Sequence, residues 1–373
     1  MALYDGFGRL RTSYPYTLFD ATHVGLKNTL NFDFSGANIY DYSGSLVNLN
    51  SSDGNVSIGQ SRDIFPYQPG KSLLVLTTQR MSDSNTSIER VGYFNHSHGI
   101  FFEKNMGTYF FVIRNGGEDV ERVPQDQWNG RQLRNGLYIL NANRSNIYWN
   151  DIEWLGVGDA RCGFVIDGKT ITCHTFHHAN QILGTYMRSA VLPVRYEITE
   201  HGPVTKTLEQ ICCSVHSEGG YEIRSIPRTV GNNNIAIGET FISLISIRIK
   251  PGLIWDKIIA LDDVNFYVSG NDGRGLHYKV VLGSTEPEGA TWTDMPENVN
   301  SAVQYSVDSG FTGGREVYGD YVESRSTSSI PQNLEVTIGR NIDGSADVLS
   351  VVAVRAVSSQ AVNASVHISW YEL

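Results

Sequence analysis

Hydrophobic and polar residues alternate along this chain in short runs that Gly, Asn, Asp and Ser separate. Apolar residues recur with the two-residue period of a strand, and few windows show the period of a helix. The pattern therefore predicts an all-β protein with very little helix. The clearest predicted strands are Ser72–Thr77, Tyr109–Ile113, Phe241–Ile249, Tyr278–Leu282, Leu334–Ile338, Val348–Ala356 and Val362–Trp370. The segments that suggest helix are Val123–Trp128, as one turn, and His178–Ser189, as a short helix broken at Gly184.

One hairpin is predicted with its register. Asp167-Gly168 favours a two-residue type I′ turn, because both central residues of that turn need positive φ. The turn places Cys162 opposite Cys173, at a pair whose Cα atoms lie about 5.5 Å apart. A disulfide can span that distance. The sequence therefore allows a Cys162–Cys173 disulfide, and two apolar thiols packed side by side are the alternative.

A domain boundary is predicted in the segment Pro227–Asn234. Its Pro, Gly and three consecutive Asn do not easily continue a strand. A chain of 373 residues is long enough for two β domains. The expected organisation is an extended N-terminal arm over residues 1–29, a β-rich domain over 30–226 and a C-terminal domain over 227–373. Both domains are expected to be β-sandwiches or jelly rolls.

The N-terminal arm concentrates aromatic rings among Gly, Arg and Pro, with neither a helical nor a clean strand period. Such a segment buries its rings either on its own domain or on a neighbouring subunit. Docking on a neighbour is the favoured prediction. The candidate interaction residues are Tyr4, Phe7, Arg9, Arg11, Tyr14, Tyr16 and Phe19.

Charge and composition exclude several classes of partner. The net charge is −10 and no run of basic residues occurs, which argues against a nucleic-acid partner. No apolar run reaches the length of a membrane span, and the first residues lack the apolar segment of a signal peptide. We therefore expect neither a nucleic-acid nor a membrane partner.

Candidate reactive groups are sparse. His174, His177 and His178 could contribute to a zinc site, but a polar strand end with hydrogen-bonded imidazoles is the favoured interpretation. Three acidic pairs have a spacing relevant to glycoside hydrolysis, and each also fits ordinary turn chemistry: Glu118 and Asp119, Asp151 and Glu153, and Asp262 and Asp263. We expect no enzymatic activity, no bound metal and no cofactor.

Five stretches of the chain carry a family resemblance. They are GFGRLRTSYPYTLFD (Gly6–Asp20), FPYQPGKSLLVLTT (Phe65–Thr78), RVGYFNHSHGIFFE (Arg90–Glu103), IEWLGVGDARCGFVIDGKTITCHTFHHANQ (Ile152–Gln181) and LPVRYEI (Leu192–Ile198). Together they resemble a family of virion structural proteins of tailed bacteriophages, common among phages of aquatic bacteria. The resemblance covers roughly residues 6–250. It implies a component of the virion, assembled in the cytoplasm of the host bacterium, with no catalytic residue to carry over.

The expected function is therefore that of a non-enzymatic virion structural protein, homo-oligomeric and in contact with other virion proteins. The tail, the baseplate or the neck is the favoured position, and decoration of the capsid surface is an alternative. A second alternative is a fibre-like adhesin that binds a host surface glycan through aromatic residues of the C-terminal domain, with Trp255, Trp292 and Tyr318 as candidates. Arg161, Arg188 and Arg195 are expected to pair with carboxylates such as Glu153 or Glu197, or else to lie at the surface.

Overall fold

The computed structural model forms two compact units, Met1–Glu222 and Ile223–Leu373. The division falls at residue 223, close to the predicted boundary at residue 227. The structure describes residues 14–22, 31–36, 38–43, 46–219, 226–252, 257–269, 275–285, 290–296, 300–308, 310–323, 327–328, 336–356 and 362–372.

The prediction of an all-β fold is confirmed. In the part of the chain that the structure describes, the helical element is the 3-10 turn Gln125–Gln127, inside the predicted turn Val123–Trp128. No described helix has the length and apolar character needed to cross a membrane. The short helix predicted over His178–Ser189 is wrong. The chain forms turns and bends over this segment, and the rings of His178 and Tyr186 stack 4.0 Å apart.

The strands of unit 1 are β1 Pro15–Thr22, β2 Phe32–Gly36, β3 Asn38–Ser43, β4 Leu46–Ser51, β5 Val56–Ser61, β6 Phe65–Pro66, β7 Leu73–Arg80, β8 Ser87–Phe94, β9 His98–Asn105, β10 Thr108–Asn115, β11 Glu118–Pro124, β12 Asn146–Ile152, β13 Ala160–Ile166, β14 Lys169–Phe176, β15 Val191–Leu192, β16 Val194–Glu200 and β17 Lys206–Glu218.

Two large antiparallel sheets build unit 1, and β6 and β15 form a separate two-stranded sheet. The eight-stranded sheet has the order β14-β13-β12-β7-β17-β4-β3, with β1 also paired to β17, and the seven-stranded sheet has the order β11-β10-β9-β8-β16-β5-β2. Their inner faces meet in an aromatic core, where the Phe102 ring lies 5.1 Å from Phe164 and 5.9 Å from Tyr148. Trp128 closes the core from the long connection after β11, with its ring 4.1 Å from Phe111. Unit 1 is therefore a β-sandwich.

Strand β1 lies on unit 1 itself. One edge of the 13-residue strand β17 pairs first with β4, over residues 206–210, and then with β1, over residues 212–218. Phe19 and Ala21 of β1 are buried in the core of unit 1, and Phe19 contacts Phe65 at a ring distance of 5.2 Å. β1 thus completes the edge that β4 leaves unpaired.

The Asp167-Gly168 hairpin has the predicted turn, with positive φ at both residues, 50° and 70°. Its predicted register holds as far as Gly163, which lies opposite Thr172. A bulge then shifts the pairing, so that Cys162 lies opposite His174 and not opposite Cys173. The direct Cys162–Cys173 pairing is therefore wrong. Both cysteines are buried free thiols.

The strands of unit 2 are β18 Arg228–Ile237, β19 Ile242–Ile249, β20 Ile259–Ser269, β21 Gly275–Thr285, β22 Thr293–Asp294, β23 Val303–Ser306, β24 Thr312–Glu323, β25 Thr327–Ser328, β26 Thr337–Ile338, β27 Val348–Arg355 and β28 Val362–Glu372.

Unit 2 also consists of two sheets with a shared apolar core. The five-stranded sheet has the order β18-β28-β20-β25, with β26 also paired to β20, and the six-stranded sheet has the order β22-β23-β19-β27-β21-β24. Phe266 of the first sheet meets Tyr278 of the second at a ring distance of 4.2 Å. The prediction of a second sandwich-like domain is confirmed.

The segment expected to interrupt the strands is itself a strand. β18 runs through the three consecutive asparagines, because a bulge between Asn232 and Ile235 absorbs them. Asn234 takes the positive φ of 55° that this irregularity needs, which asparagine tolerates. The Asn232 side chain donates a hydrogen bond to the Leu244 carbonyl oxygen at 2.8 Å.

Candidate interaction sites

The outer face of the seven-stranded sheet carries a row of charged residues. Successive side chains of a strand point to opposite faces, so Glu103 points outward because Phe102 points into the core. The strand register places Arg90 of β8 opposite Glu103 of β9 on one side and Glu197 of β16 on the other. Two acidic residues therefore flank one arginine across three strands.

These residues form a continuous set of ion pairs, which we call the Arg–Glu network: Arg90, Glu103, Arg122, Arg195 and Glu197. Arg90 Nε lies 2.7 Å from Glu103 Oε2, and its Nη1 lies 2.6 Å from Glu197 Oε1. Arg122 Nη2 reaches Glu103 Oε1 at 2.6 Å, and Arg195 Nη2 reaches Glu197 Oε2 at 2.8 Å. The network thus spans β11, β9, β8 and β16.

An aromatic floor lies beneath the guanidinium groups. Phe94, Phe101 and Val112 are buried on this outer face as a small cluster separate from the main core. The Arg122 guanidinium carbon lies 3.4 Å from the centre of the Phe110 ring, and that of Arg114 lies 4.9 Å from the centre of the Phe101 ring. The arginines therefore shield apolar rings from water while their own charges stay paired.

Gly92 of β8 allows the neighbouring strand β9 to lie close to it at Phe101. A Cβ at this position would lie 2.6 Å from the Ile100 carbonyl oxygen of the neighbouring strand. Glycine also tolerates its φ of 156°. The residue therefore leaves room for the Phe101 side chain between Arg90 and Phe94.

The network holds its charge although it is largely buried. Burial alone would raise the pKa of Glu197, but Arg195 and Arg90 outweigh it and lower that pKa. Burial works against the charge of Arg90 as well, and its two carboxylate partners raise its pKa in turn. Three arginines face two glutamates, so the network carries a net charge of +1. Its groups are paired donors and acceptors rather than a nucleophile with a base.

The sequence predicted part of this arrangement. Arg195 pairs with Glu197, one of the expected carboxylates, whereas Arg161 pairs with Asp151, which was not among them, through its Nη2 and Asp151 Oδ2. The roles of Arg90, Glu103 and Arg122 were missed. A usable signal was the alternation in RVGYF and GIFFE, where charges sit on the same strand face as Phe94 and Phe101.

The structure places the described candidate residues of the N-terminal arm in different environments. Tyr4, Phe7, Arg9 and Arg11 lie outside the described residues. Tyr14 and Tyr16 are exposed, with 87% and 55% of their surface accessible. Phe19 is buried in unit 1, so the prediction that it docks on a neighbouring subunit is wrong. Its β1 backbone pairs with β17 of the same chain, and that pairing directs the ring into the core.

The three histidines occupy separate hydrogen-bonded positions. Asn129 N donates to His174 Nδ1 at 3.2 Å, and His177 Nδ1 lies 3.0 Å from Asp159 Oδ2. His178 Nε2 lies 2.7 Å from Glu121 Oε1, and its Nδ1 lies 2.9 Å from the Gly158 carbonyl oxygen. No group of metal-ligating side chains is found among the described residues.

The histidine pKa values diverge for physical reasons. Burial lowers the pKa of His174 to about 4. Burial also disfavours the charged form of His178. Hydrogen bonds to the Glu121 carboxylate and the Gly158 carbonyl oxygen, together with the negative charges of Glu121 and Asp159, outweigh burial and raise the pKa of His178. The pKa values of these two imidazoles are therefore shifted in opposite directions.

The acidic pairs serve local structure in the described chain. Asp119 Oδ1 lies 2.8 Å from Arg114 Nε, and Asp151 pairs with Arg161. Asp263 Oδ1 accepts a hydrogen bond from Val264 N at 2.8 Å, and Asp262 Oδ2 accepts one from Ser369 at 3.0 Å.

The aromatic candidates of unit 2 are mostly engaged in packing. Trp255 lies outside the described residues. The guanidinium carbon of Arg248 sits 4.1 Å from the centre of the Trp292 ring, which covers that ring, and Tyr318 packs against the core of unit 2. The structure exposes a different ring, that of Tyr321, which lies opposite His277 across β24 and β21.

No family model matches this chain, and no curated protein matches it. Solved structures of similar shape include the carbohydrate recognition domain of Emp47p, which is 10% identical, with a TM-score of 0.36, over 51% of this chain and 89% of that one. A legume lectin-like domain from Entamoeba histolytica is 11% identical, with a TM-score of 0.34, over 54% of this chain and 97% of that one. The β-glucanase of Bacillus licheniformis is 9% identical, with a TM-score of 0.37, over 55% of this chain and 99% of that one. Similarities at this level carry no argument about function.

Proposed function

We propose that this chain is a non-enzymatic structural component of a tailed-phage virion, located at the tail, the baseplate or the neck. One observation carries the proposal. Two motifs of the family resemblance, which are far apart in sequence, supply Arg90, Glu103, Arg195 and Glu197 of a single Arg–Glu network. The motifs therefore contribute to one stiff, charged sheet face and not to a reactive centre.

This face suits an interface with another virion protein or with a second copy of the chain. Its ion pairs tie four strands together, and its rings lie beneath guanidinium groups, so it presents a fixed polar surface. Arg122 is the most accessible of its arginines, with 33% of its side chain exposed. Arginine is enriched at protein interfaces, where its planar group binds carboxylates.

Particle labelling tests the proposal. Antibody raised against unit 2 and coupled to gold would be imaged by electron microscopy on intact particles of the source phage. Label at the tail, baseplate or neck is expected. Label over the whole head would instead assign the chain to capsid decoration. If mass spectrometry does not detect the chain in purified particles, the proposal is wrong.

A variant pair tests the proposed face. Arg122→Glu reverses the accessible charge and should lower the number of copies per particle several-fold, measured by quantitative mass spectrometry. Arg80→Glu is the matched control, because Arg80 is also exposed and paired, to Glu209, but lies on the other sheet. Equal incorporation of the two variants would argue against this face as the interface.

Carbohydrate binding by unit 2 is a second candidate function. The observation that favours it is the ring of Tyr321, 66% exposed although it lies in a strand and not in a loop. An aromatic ring that is open to solvent on a strand offers an apolar face on which a sugar ring can pack. A virion protein with such a unit would contact a glycan of the host surface.

A further inference from the structure

A row of aromatic side chains crosses the outer face of the six-stranded sheet of unit 2. Phe241 stands just before β19, and His277 of β21 lies opposite Tyr321 of β24. The His277 ring is 5.2 Å from Phe241 in an edge-on contact and 4.6 Å from Tyr321 in a stacked contact, with an angle of 16° between the planes. The three rings therefore support one another from β19 to the last strand of the sheet.

The stacking leaves one face of the Tyr321 ring open. His277 covers the face that looks toward the middle of the sheet. β24 is the last strand of the sheet order, so no described strand of that sheet stands beyond it. The side chain is consequently held in position by its stacked partner while the opposite ring face stays exposed.

Two polar groups lie on the same face of the sheet as this ring. Lys279, two residues after His277 on the same face of β21, places its Nζ 2.7 Å from Glu316 Oε2 and 5.0 Å from the centre of the Phe241 ring. Gly319 lies opposite Lys279, two residues before Tyr321. A Cβ on Gly319 would come within 2.7 Å of Glu316 Oε1, so the glycine makes room for that carboxylate on this face.

We propose that Tyr321 is the stacking platform of a carbohydrate site, with Glu316 and Lys279 as its hydrogen-bonding groups and an uncharged hexopyranose as its ligand. The inference rests on the proposed carbohydrate-binding function of unit 2. A pyranose ring has an apolar face of C–H groups, which packs on an aromatic ring, and a rim of hydroxyl groups, which a carboxylate and an ammonium group can bind.

The charges of the chain and of the strand select this ligand class. The net charge of −10 disfavours a polyanionic glycan. β24 also carries Glu316, Asp320 and Glu323 along its exposed edge. Such charges oppose the addition of a strand from another protein, so the open ring face is suited to a small polar ligand.

The test uses the full chain on a printed array of neutral and acidic hexopyranose oligosaccharides, followed by calorimetric titration with the best neutral binder. Tyr321→Ala should weaken binding about tenfold, because the stacking surface is lost. Tyr321→Phe should bind within about twofold of wild type, since the ring remains. Tyr267→Ala is the matched control, because Tyr267 is a similarly exposed strand tyrosine in the other sheet of unit 2.

The outcomes distinguish an error in the proposed Tyr321 site from an error in the proposed carbohydrate-binding function of unit 2. Binding of neutral glycans that Tyr321→Ala leaves unchanged would overturn the site but keep the carbohydrate-binding function. No binding to any glycan would overturn both, and binding to acidic glycans alone would overturn the ligand class. If Tyr321→Ala lowers the thermal unfolding temperature, Glu316→Gln replaces it, with a several-fold loss of affinity expected and unchanged affinity counting against the site.

Discussion

Arg90 is the residue on which the Arg–Glu network depends, because it alone contacts both Glu103 and Glu197. Its side chain is 18% exposed, and those of its partners are less exposed still. Arg90→Gln leaves two buried carboxylates with one arginine each. We expect it to lower the free energy of unfolding of unit 1 by about 3 kcal/mol.

Urea unfolding followed by tryptophan fluorescence measures this loss. The control is Arg80→Gln, which breaks the pair with Glu209 at a position where the arginine side chain is 49% exposed. It should cost less than about 1 kcal/mol. If both substitutions cost the same, the network does not stabilise the sheet.

His174 gives a prediction of pH dependence. Its pKa of about 4 in the folded chain lies below the usual unfolded value of about 6.5. The folded state therefore binds this proton more weakly, and the contribution of His174 to stability is complete above pH 6.5 and lost as the pH falls toward 4. His178, whose pKa is raised, changes its contribution above pH 6.5, outside this window.

The free energy of unfolding should therefore fall more between pH 6.5 and pH 4 for the wild type than for His174→Gln. Urea unfolding of both proteins at both pH values measures this difference. Carboxylates titrate in the same range, but they contribute equally to both proteins. His201→Gln, at an exposed position, should follow wild type. A His174→Gln curve parallel to wild type would contradict the prediction.

The cysteines allow a direct test of their chemical state. Burial raises the pKa of Cys162 and of Cys173 to about 12, so neither forms the reactive thiolate near neutral pH. At pH 8 iodoacetamide should label the half-buried Cys212 of the native chain before these two. In urea without reductant, mass spectrometry should find all of them labelled; protection of Cys162 and Cys173 until reductant is added would reveal a disulfide.

At the residue scale, the sequence predicted contacts between residues that are close along the chain and missed contacts between distant ones. Arg195 and Glu197 lie two residues apart on one strand, so the two-residue period alone places them together. Arg90 and Glu197 are 107 residues apart. Their contact depends on β8 and β16 being neighbours in the sheet, which local patterns do not determine.

At the scale of elements, β1 is the strand whose role changed most between sequence and structure. Phe19 is buried among Phe32 and Phe65, and Phe19→Ala should cost about 3 kcal/mol in the unfolding of unit 1. Tyr16→Ala, on the same strand but exposed, should cost less than about 0.5 kcal/mol. Equal losses in urea unfolding would mean that β1 does not dock as described.

Local turn chemistry was the most reliable guide to the elements. The Asp167-Gly168 turn and the register next to it follow from the φ values that the turn needs. The bulges at Cys173 and after Asn232 were not predictable, because an extra residue is tolerated or not according to what the neighbouring strand offers. One such bulge separates the expected Cys162–Cys173 pair.

At the scale of the molecule, unit 2 has a core of its own. Strands of both its sheets contribute to it, as in the contact of Phe266 with Tyr278, and Trp370 is fully buried there. Residues 223–373 expressed alone should therefore fold with a cooperative thermal transition and dispersed amide signals in NMR. A chain without a transition would show that unit 2 needs unit 1.

The two-sandwich plan was predictable because each domain repeats short alternating runs between turn residues. The order of the strands within each sheet was not. It depends on pairings between distant segments, such as β7 with β17 and β20 with β28, for which a single sequence carries no local signal.

The pairing of β1 with β17 also has a consequence for synthesis on the ribosome. Thr17 and His216 hydrogen-bond across 199 residues of sequence. At roughly 5–20 residues per second, the first strand waits about 10–40 s before its partner is translated. During that time an exposed strand beside other nascent copies can pair with the wrong chain, so the rate of translation influences whether copies emerge as separate molecules or as exchanged ones.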